Sequence, residues 1–426
     1  MTSTLVGRAN QEAARLFRDW FSDLNKMAEK GHKTAYVFVM GSMCEVLRSF
    51  DIVPVFPEIN SLQTAVKKVS HDFLARAEDY GFSPDVCGYV KADVAVQLNR
   101  GIHPLGRIPR PSLAIATNAC NTYIKWAEFW ERLHHTKVFT LDIPGSRSGW
   151  SQERPGEKGF DRDRRYVEHQ IGELITLCEE VTGRPFDIDR LRQTLKYTNQ
   201  MSQAWHDILL MNRRRPAPFN SLTEGTVYLG VLNALRGTPE GARYMQELRE
   251  EIAHRAEHNL GPPHQEKYRL MFLGVPCYPI FRRFYEFFSQ WGGSFVTSTY
   301  LWFASGGLQQ AHQYDLNRPI ESLAEGTLIS VRNAMDSMFF QDDQILKLID
   351  EFDLEGIVFH PIKSCRTVST GLADVRQTIL EKSPIASLFI ESDMMDRRVV
   401  SEAQLKNRID AFFEGMAARR VREGRQ

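Results

Sequence analysis

Residues 111–145 run PSLAIATNACNTYIKWAEFWERLHHTKVFTLDIPG. The segment is entered through the turn-rich GRIPRP (106–111), and its opening stretch PSLAIATNAC (111–120) is an apolar, strand-like run. NTYIKWAEFWERLHH then places Ile124, Ala127, Trp130 and Leu133 at helical spacing, and KVFTLDIPG (137–145) reads as another strand. A strand, a helix and a second strand in direct succession form the βαβ unit of a parallel sheet.

The same alternation extends on both sides. AYVFVMG (35–41) reads as a buried strand and SMCEVLRSF (42–50) as the helix after it. Further along, YRLMFLGVP (268–276), GSFVTSTY (293–300), GIVFHPI (356–362) and SLFIESD (387–393) are strand-like. RRFYEFFSQWG (282–292), LISVRNAMDSMFFQDDQILKLIDEF (328–352) and SEAQLKNRIDAFFEGM (401–416) are helix-like, and the Arg-rich end RRVREGRQ reads as a frayed tail. Between the two blocks the character changes. SGWSQERPGEKGFDRDRR (148–165) is polar, YVEHQIGELITLCEEVTG (166–183) ends in a glycine stop, and FDIDRLRQTLKYTNQ (186–200) opens with aspartates suited to an N-cap. The expectation is an α/β chain of two parallel-sheet lobes: residues 1–150 carrying Cys87 and Cys120, a mainly helical segment over 151–260, and residues 261–426 carrying Cys365.

Bulk composition narrows the function classes. Lys plus Arg and Asp plus Glu number 53 each, which argues against non-specific nucleic-acid binding. No apolar run approaches the length of a membrane helix, and MTSTLVGRANQEAARLF lacks the pattern of a secretory signal. The six cysteines are scattered, so reduced thiols in the cytoplasm are expected rather than a disulfide framework.

Local setting sorts these cysteines. Cys178 lies mid-helix among apolar neighbours, Cys44 begins a helix, and Cys277 sits between two prolines; all three read as structural. Cys120 and Cys365 each close a strand-like run and start the next segment, and Cys87 occupies a similar loop-to-helix position. Ligands of open α/β sheets bind beyond the carboxyl ends of the strands, where helix N-terminal amides favour a thiolate. Three thiolates from separate loops suit an iron–sulfur cluster with one iron open, although the spacing itself matches no local metal signature.

Other motifs carry less. HRAEH (254–258) fits a zinc pattern but closes a charged helix, where histidines are favourable against the helix dipole. GHKT (31–34) lacks the order of a phosphate-binding loop, no G-x-G-x-x-G occurs, and His134–His135 close a helix. Glu58, in FPEIN, is either a pocket carboxylate or a cap; Glu391 and Asp393 stand at a strand end, able to orient a neighbour or to serve as structural hydrogen-bond acceptors.

With these residues in view the chain resembles the 2-hydroxyacyl-CoA dehydratase family, which includes the benzoyl-CoA reductases, from about residue 34 to residue 415. The landmarks are LRSFDIVPVFPEIN, DVCGYVKADV, ATNACNTYIKWAEFW, IKSCRTV and FIESDMMDRRVVSEAQLKNRIDAFFEG. The resemblance implies two flavodoxin-like lobes, a 4Fe-4S cluster on Cys87, Cys120 and Cys365, and an aromatic acyl-CoA substrate. It further implies a homologous second cluster-binding subunit, separate ATP-hydrolysing electron-activating subunits, and a ferredoxin-like electron donor. MCEVLRSFDIVPVFPEIN and the Asn121-Thr122-Tyr123-Ile124-Lys125-Trp126 run are more similar to the cluster-bearing subunits of ATP-dependent benzoyl-CoA reductases than to typical dehydratases. The expected activity is reductive dearomatisation of the ring to a cyclohexadiene-carboxyl-CoA, with 2-hydroxyacyl-CoA dehydration as the alternative.

Overall fold

The computed structural model describes residues 7–145, 155–262, 265–337 and 342–424. Ten strands are present among them: β1 (Thr34–Tyr36), β2 (Val53–Val55), β3 (Ile102–His103), β4 (Gly106–Arg107), β5 (Leu113–Thr117), β6 (Lys137–Leu141), β7 (Tyr268–Gly274), β8 (Gly293–Ser298), β9 (Gly356–His360) and β10 (Ala386–Phe389). They build two four-stranded parallel sheets, ordered β2-β1-β5-β6 and β10-β9-β7-β8, and a small antiparallel β3–β4 hairpin. The two expected parallel-sheet lobes are therefore present. In each, the chain reverses direction across the sheet beside the first strand, between β1 and β5 and between β7 and β9. That reversal opens a crevice beyond the strand ends where ligands bind.

The inner strands β1, β5, β7 and β9 are buried along their whole length, as those of parallel sheets are, and so is β8, whereas the edge strand β6 is partly exposed. Along β7 the alternation of side chains sends Leu270 and Phe272 into one apolar layer with Phe284, Phe288 and Phe413. Met271 and Leu273 enter the opposite layer with Ile357, Phe359 and Ile379. The first sheet shares a single continuous core with the helices Lys158–Thr182, Ile188–Met211, Glu224–Ala234 and Pro239–Glu257. A buried ion pair, Arg236 to Glu45 at 2.6 Å, joins those helices to the Cys44–Ser49 helix. The glycine stop appears as Gly183 in the left-handed conformation, and Asp187 caps the next helix by accepting from the Asp189 and Arg190 amides.

Several local expectations are corrected. The strand expected over 35–41 leaves the sheet after Tyr36, and β2, within VPV, was not anticipated. β2 is an edge strand, the one sheet position where Pro54 removes no needed donor. On the Asn121–His134 helix the buried face is Tyr123, Trp126, Ala127 and Trp130, while Ile124 is exposed. Two tryptophans decide that rotation: both indole N–H groups donate to Asp93 of the Gly88–Leu98 helix at 2.7 Å. Within the helical pattern over 328–352 the described residues up to Glu351 lie in the helices Pro319–Ser337 and Asp342–Glu351, and residues 338–341 lie outside the described residues. The Arg-rich end is not frayed up to Arg422: the Glu402–Arg422 helix continues through it. Arg420 there donates to the Lys267 carbonyl at 2.6 Å and lies over the Tyr268 ring.

Asp93 is fully buried and also accepts from the Gln97 amide at 2.8 Å. Replacing it with alanine strands two buried indole donors, which costs roughly 2–4 kcal/mol. A lower denaturant midpoint for Asp93→Ala, with the unfolding slope unchanged, is the expected result.

Candidate functional site

The three cysteines singled out by setting each occupy the N-cap of a helix. Cys87 precedes Gly88–Leu98, Cys120 precedes Asn121–His134, and Cys365 precedes the short Arg366–Ser369 turn. Cys120 follows β5 and Cys365 follows β9, so the two sheets deliver them from opposite sides of the crevice. All three line one cavity of about 530 Å³ beyond the carboxyl ends of both sheets. The Cys120 sulfur lies 3.3 Å from the Thr367 hydroxyl, across the lobe boundary. Cys44, Cys178 and Cys277 are instead buried outside that cavity.

Burial pushes the Cys87 thiol well above its ordinary value, and the nearby Cys365 and Cys120 sulfurs push it further. Burial likewise pushes Cys365 up to about 12, with Cys120 adding to the effect, while the Val368 amide opposes it. Crowded, desolvated thiols cannot all ionise unless a cationic group shares the space. Metal coordination supplies that positive charge and deprotonates a thiol outright. The donor set therefore fits an iron–sulfur group. Among the described residues no three Cys, His, Asp or Glu side chains gather to hold a single metal ion. In a cluster each thiolate takes a different iron, so its donors stand around the group instead of meeting at a point.

Glu58 lies in the wall of the same cavity, on the first turn of the Pro57–Val66 helix. The Tyr123 hydroxyl donates to one of its oxygens at 2.6 Å and the Val39 amide to the other at 2.8 Å. Burial pushes its carboxyl up to about 7 against the pull of those two donors. The premature end of β1 has its reason here, because the chain after Tyr36 turns to bring the Val39 amide onto Glu58. Tyr123 is stacked on Phe38 with ring centroids 3.7 Å apart. Around the cavity stand Trp126, Tyr89, Tyr278 and Tyr300, the last two joined hydroxyl to hydroxyl at 2.7 Å. The signal in the sequence for Tyr123 is its place one helical turn after Cys120.

Behind the cavity the cysteine loops are stitched together. Asp393 is fully buried and accepts backbone N–H bonds from Ser364, Met395 and Asp396, at 2.9, 2.8 and 2.9 Å. The Ser364 hydroxyl in turn accepts the Gly88 amide at 3.3 Å. The residues beside Cys365 and Cys87 thus share one hydrogen-bonded seam. An ion-pair chain continues it: Glu78 takes Lys91 at 2.9 Å and Arg398 at 2.7 Å, and Arg398 reaches Asp396 at 2.7 Å. Glu391 is exposed and outside the seam. His254 and His258 of HRAEH stack on each other at a helix end, and Gly31 of GHKT is a left-handed helix stop.

Two outcomes follow from this geometry. The folded protein holds the Glu58 proton more tightly than the ordinary value of 4.5 allows. The stabilisation is full below pH 4.5 and lost as pH rises through about 7, up to about 3 kcal/mol in all. Glu58→Gln should flatten that part of the pH profile of the melting temperature. At Gly88 an added Cβ would stand 2.5 Å from the Met395 Cβ, which is no flexible chain end. Gly88→Ala should lower stability by roughly 1–3 kcal/mol in thermal unfolding, because the seam must open to admit it.

Comparison with known proteins agrees with this architecture. Residues 39–416 match the model of the 2-hydroxyglutaryl-CoA dehydratase D-component family. The chain is 32% identical to a subunit of the benzoyl-CoA reductase of Thauera aromatica, with 92% of this chain and 91% of that one covered. It is 25% identical to the (R)-phenyllactyl-CoA dehydratase alpha subunit of Clostridium sporogenes, covering 89% and 88%. Against the (R)-2-hydroxyisocaproyl-CoA dehydratase alpha subunit of Clostridioides difficile the identity is 26%, with 88% of each chain covered. No helix among the described residues is long and apolar enough to cross a membrane. A family match spanning nearly the whole chain, on a fold that gathers three cysteines at one crevice, leaves a single assignment: the protein belongs to the 2-hydroxyglutaryl-CoA dehydratase D-component family.

Proposed function

We propose that this chain is the iron–sulfur subunit of a cytoplasmic, ATP-dependent aromatic acyl-CoA reductase of the benzoyl-CoA type. Cys87, Cys120 and Cys365 hold a 4Fe-4S cluster, and the acyl group of the substrate lies in the cavity beside Glu58. One observation carries the reading: three helix-capping thiols and a titratable carboxyl face a single cavity walled by aromatic side chains. The 32% identity to a benzoyl-CoA reductase chain supports the reductase over the dehydratase relatives at 25% and 26%.

When bound, the cluster supplies single electrons at low potential to the ring that the thioester activates. The chain's own residues do the remainder. Trp126, Tyr123 and Tyr278 offer flat apolar surfaces for an aromatic ring and exclude water from the site. Glu58, poised near neutrality, holds a proton at a carboxylate oxygen, and Tyr123 fixes the orientation of that oxygen. Dearomatisation to a cyclohexadiene adds two electrons and two protons to the ring. The electrons come from a ferredoxin-like donor through ATP-hydrolysing subunits, and a homologous second cluster-binding subunit completes the complex. No nucleic acid and no membrane take part.

The second reading, a 2-hydroxyacyl-CoA dehydratase subunit, is favoured by the family description and by two of the relatives. Anaerobic co-purification with the homologous subunit, followed by iron and acid-labile sulfide analysis, tests both. Replacement of Cys87, Cys120 or Cys365 by serine or alanine should abolish this chain's iron and the activity together, whereas a full cluster in Cys120→Ala would refute the ligand set. Turnover of benzoyl-CoA, with none of 2-hydroxyacyl-CoA, supports the reductase; the reverse supports the dehydratase.

A further inference from the structure

The cavity does not end at its aromatic walls. Phe17 of the Arg8–Lys30 helix and Gln63 of the Pro57–Val66 helix line both the cavity and a second, open groove of about 620 Å³. The β3–β4 hairpin forms another side of this groove through Leu105 and Gly106, and is pinned there by the Arg107 amide donating to Asn25 at 2.9 Å. At the gate, Gly230 makes room for the Phe17 ring: a Cβ there would lie 2.3 Å from its Cζ.

The two spaces differ in charge. The inner cavity is mainly apolar; its charged lining residues are Glu58, buried in the wall, Glu224 and Arg282. In the groove the charged lining residues are Arg18 and Lys67, both exposed, with no acidic residue among the described residues that line it. On the same helix Arg15 pairs with Glu12 and Asp19, and Lys26 with Asp23, while Arg8 and Lys30 lie at its two ends, away from the groove. Arg18 and Lys67 form no ion pair among the described residues.

A mainly apolar chamber, a boundary formed by Phe17 and Gln63, and a cationic groove follow one another in that order. A ligand that matches has an apolar head, an uncharged amide-bearing arm and a polyanionic end. We infer that the groove receives the 3′-phosphorylated ADP end of coenzyme A, with Arg18 and Lys67 at its phosphates and the pantetheine arm passing between Phe17 and Gln63. The Gln63 amide can both donate to and accept from the amides of that arm. The inference rests on the acyl-CoA reading above and adds to it the residues that recognise the nucleotide end.

The test uses the full complex and two probes, coenzyme A and the pantetheine thioester of benzoic acid, titrated calorimetrically. Arg18→Glu/Lys67→Glu should weaken coenzyme A roughly tenfold or more, the scale of a lost charge-assisted contact. Binding of the pantetheine thioester, which has no phosphate, should change less than about twofold. Lys30, exposed at the end of the Arg8–Lys30 helix and lining neither space, is the comparison position; Lys30→Glu should leave coenzyme A binding nearly unchanged. Unaltered coenzyme A affinity in the double variant, or an equal loss in Lys30→Glu, overturns the groove while the acyl-CoA reading stands. Failure of the wild-type complex to bind either probe overturns both.

Discussion

Everything at the centre of this protein depends on a seam of backbone hydrogen bonds into one buried carboxylate. Asp393 holds the Ser364 amide, and Ser364 holds the Gly88 amide, so residues adjoining Cys365 and Cys87 are fixed to each other across two lobes. A buried carboxylate is costly unless its oxygens are filled. Here three N–H groups fill them, two from the carboxylate's own loop and one from the cysteine loop. Two parallel sheets whose strand ends face one crevice would otherwise leave it of variable width. The seam sets that width, and the Asp93 acceptor does the same for the Cys87 and Cys120 helices by binding two indoles at once.

The cavity so formed combines groups that oppose one another electrostatically. Desolvation and mutual proximity hold the Cys87 and Cys365 thiols in their neutral form, and desolvation holds Glu58 near neutrality. Both effects come from the same apolar walls. A cationic group between the sulfurs would relieve the first; the second comes from burial, which outweighs the Tyr123 and Val39 donors that pull the Glu58 carboxyl down. Under the proposed function, a low-dielectric chamber whose carboxyl keeps its proton up to about pH 7 beside the three cysteines suits the addition of electrons and protons to a substrate shielded from water. Strand-end crevices provide such chambers on many unrelated sheets. What distinguishes this one is that two crevices face each other and share it.

Much of the fold was legible from apolar runs and their spacing. The strands at 113–117, 268–274, 293–298 and 356–360 fall within runs visible in the chain, since a strand buried on both faces must be largely apolar, and the less buried strands at 137–141 and 386–389 fall within or beside such runs as well. Edges and rotations were not legible in the same way. β2 carries a proline that only an edge position tolerates, and Ile124 lost its expected place in the core to Trp126, whose indole had a specific acceptor one helix away. The terminal arginines looked like a tail because charge alone was visible, and their partners, Tyr268 and the Lys267 carbonyl, lie far back in sequence.

The sequence by itself determined the class of the fold, the alternation into two α/β blocks with helices between, and the three cysteines that follow strands or open helices. These are local properties, written in the period of apolar residues and in position relative to a strand end. Tertiary structure alone decided which cavity the cysteines share, that Glu58 enters it through Tyr123 and the Val39 amide, and that Asp393 belongs to the cysteine loops. Those are contacts between residues tens to hundreds of positions apart. They exist only once the two sheets have packed and burial has selected which polar groups must find each other.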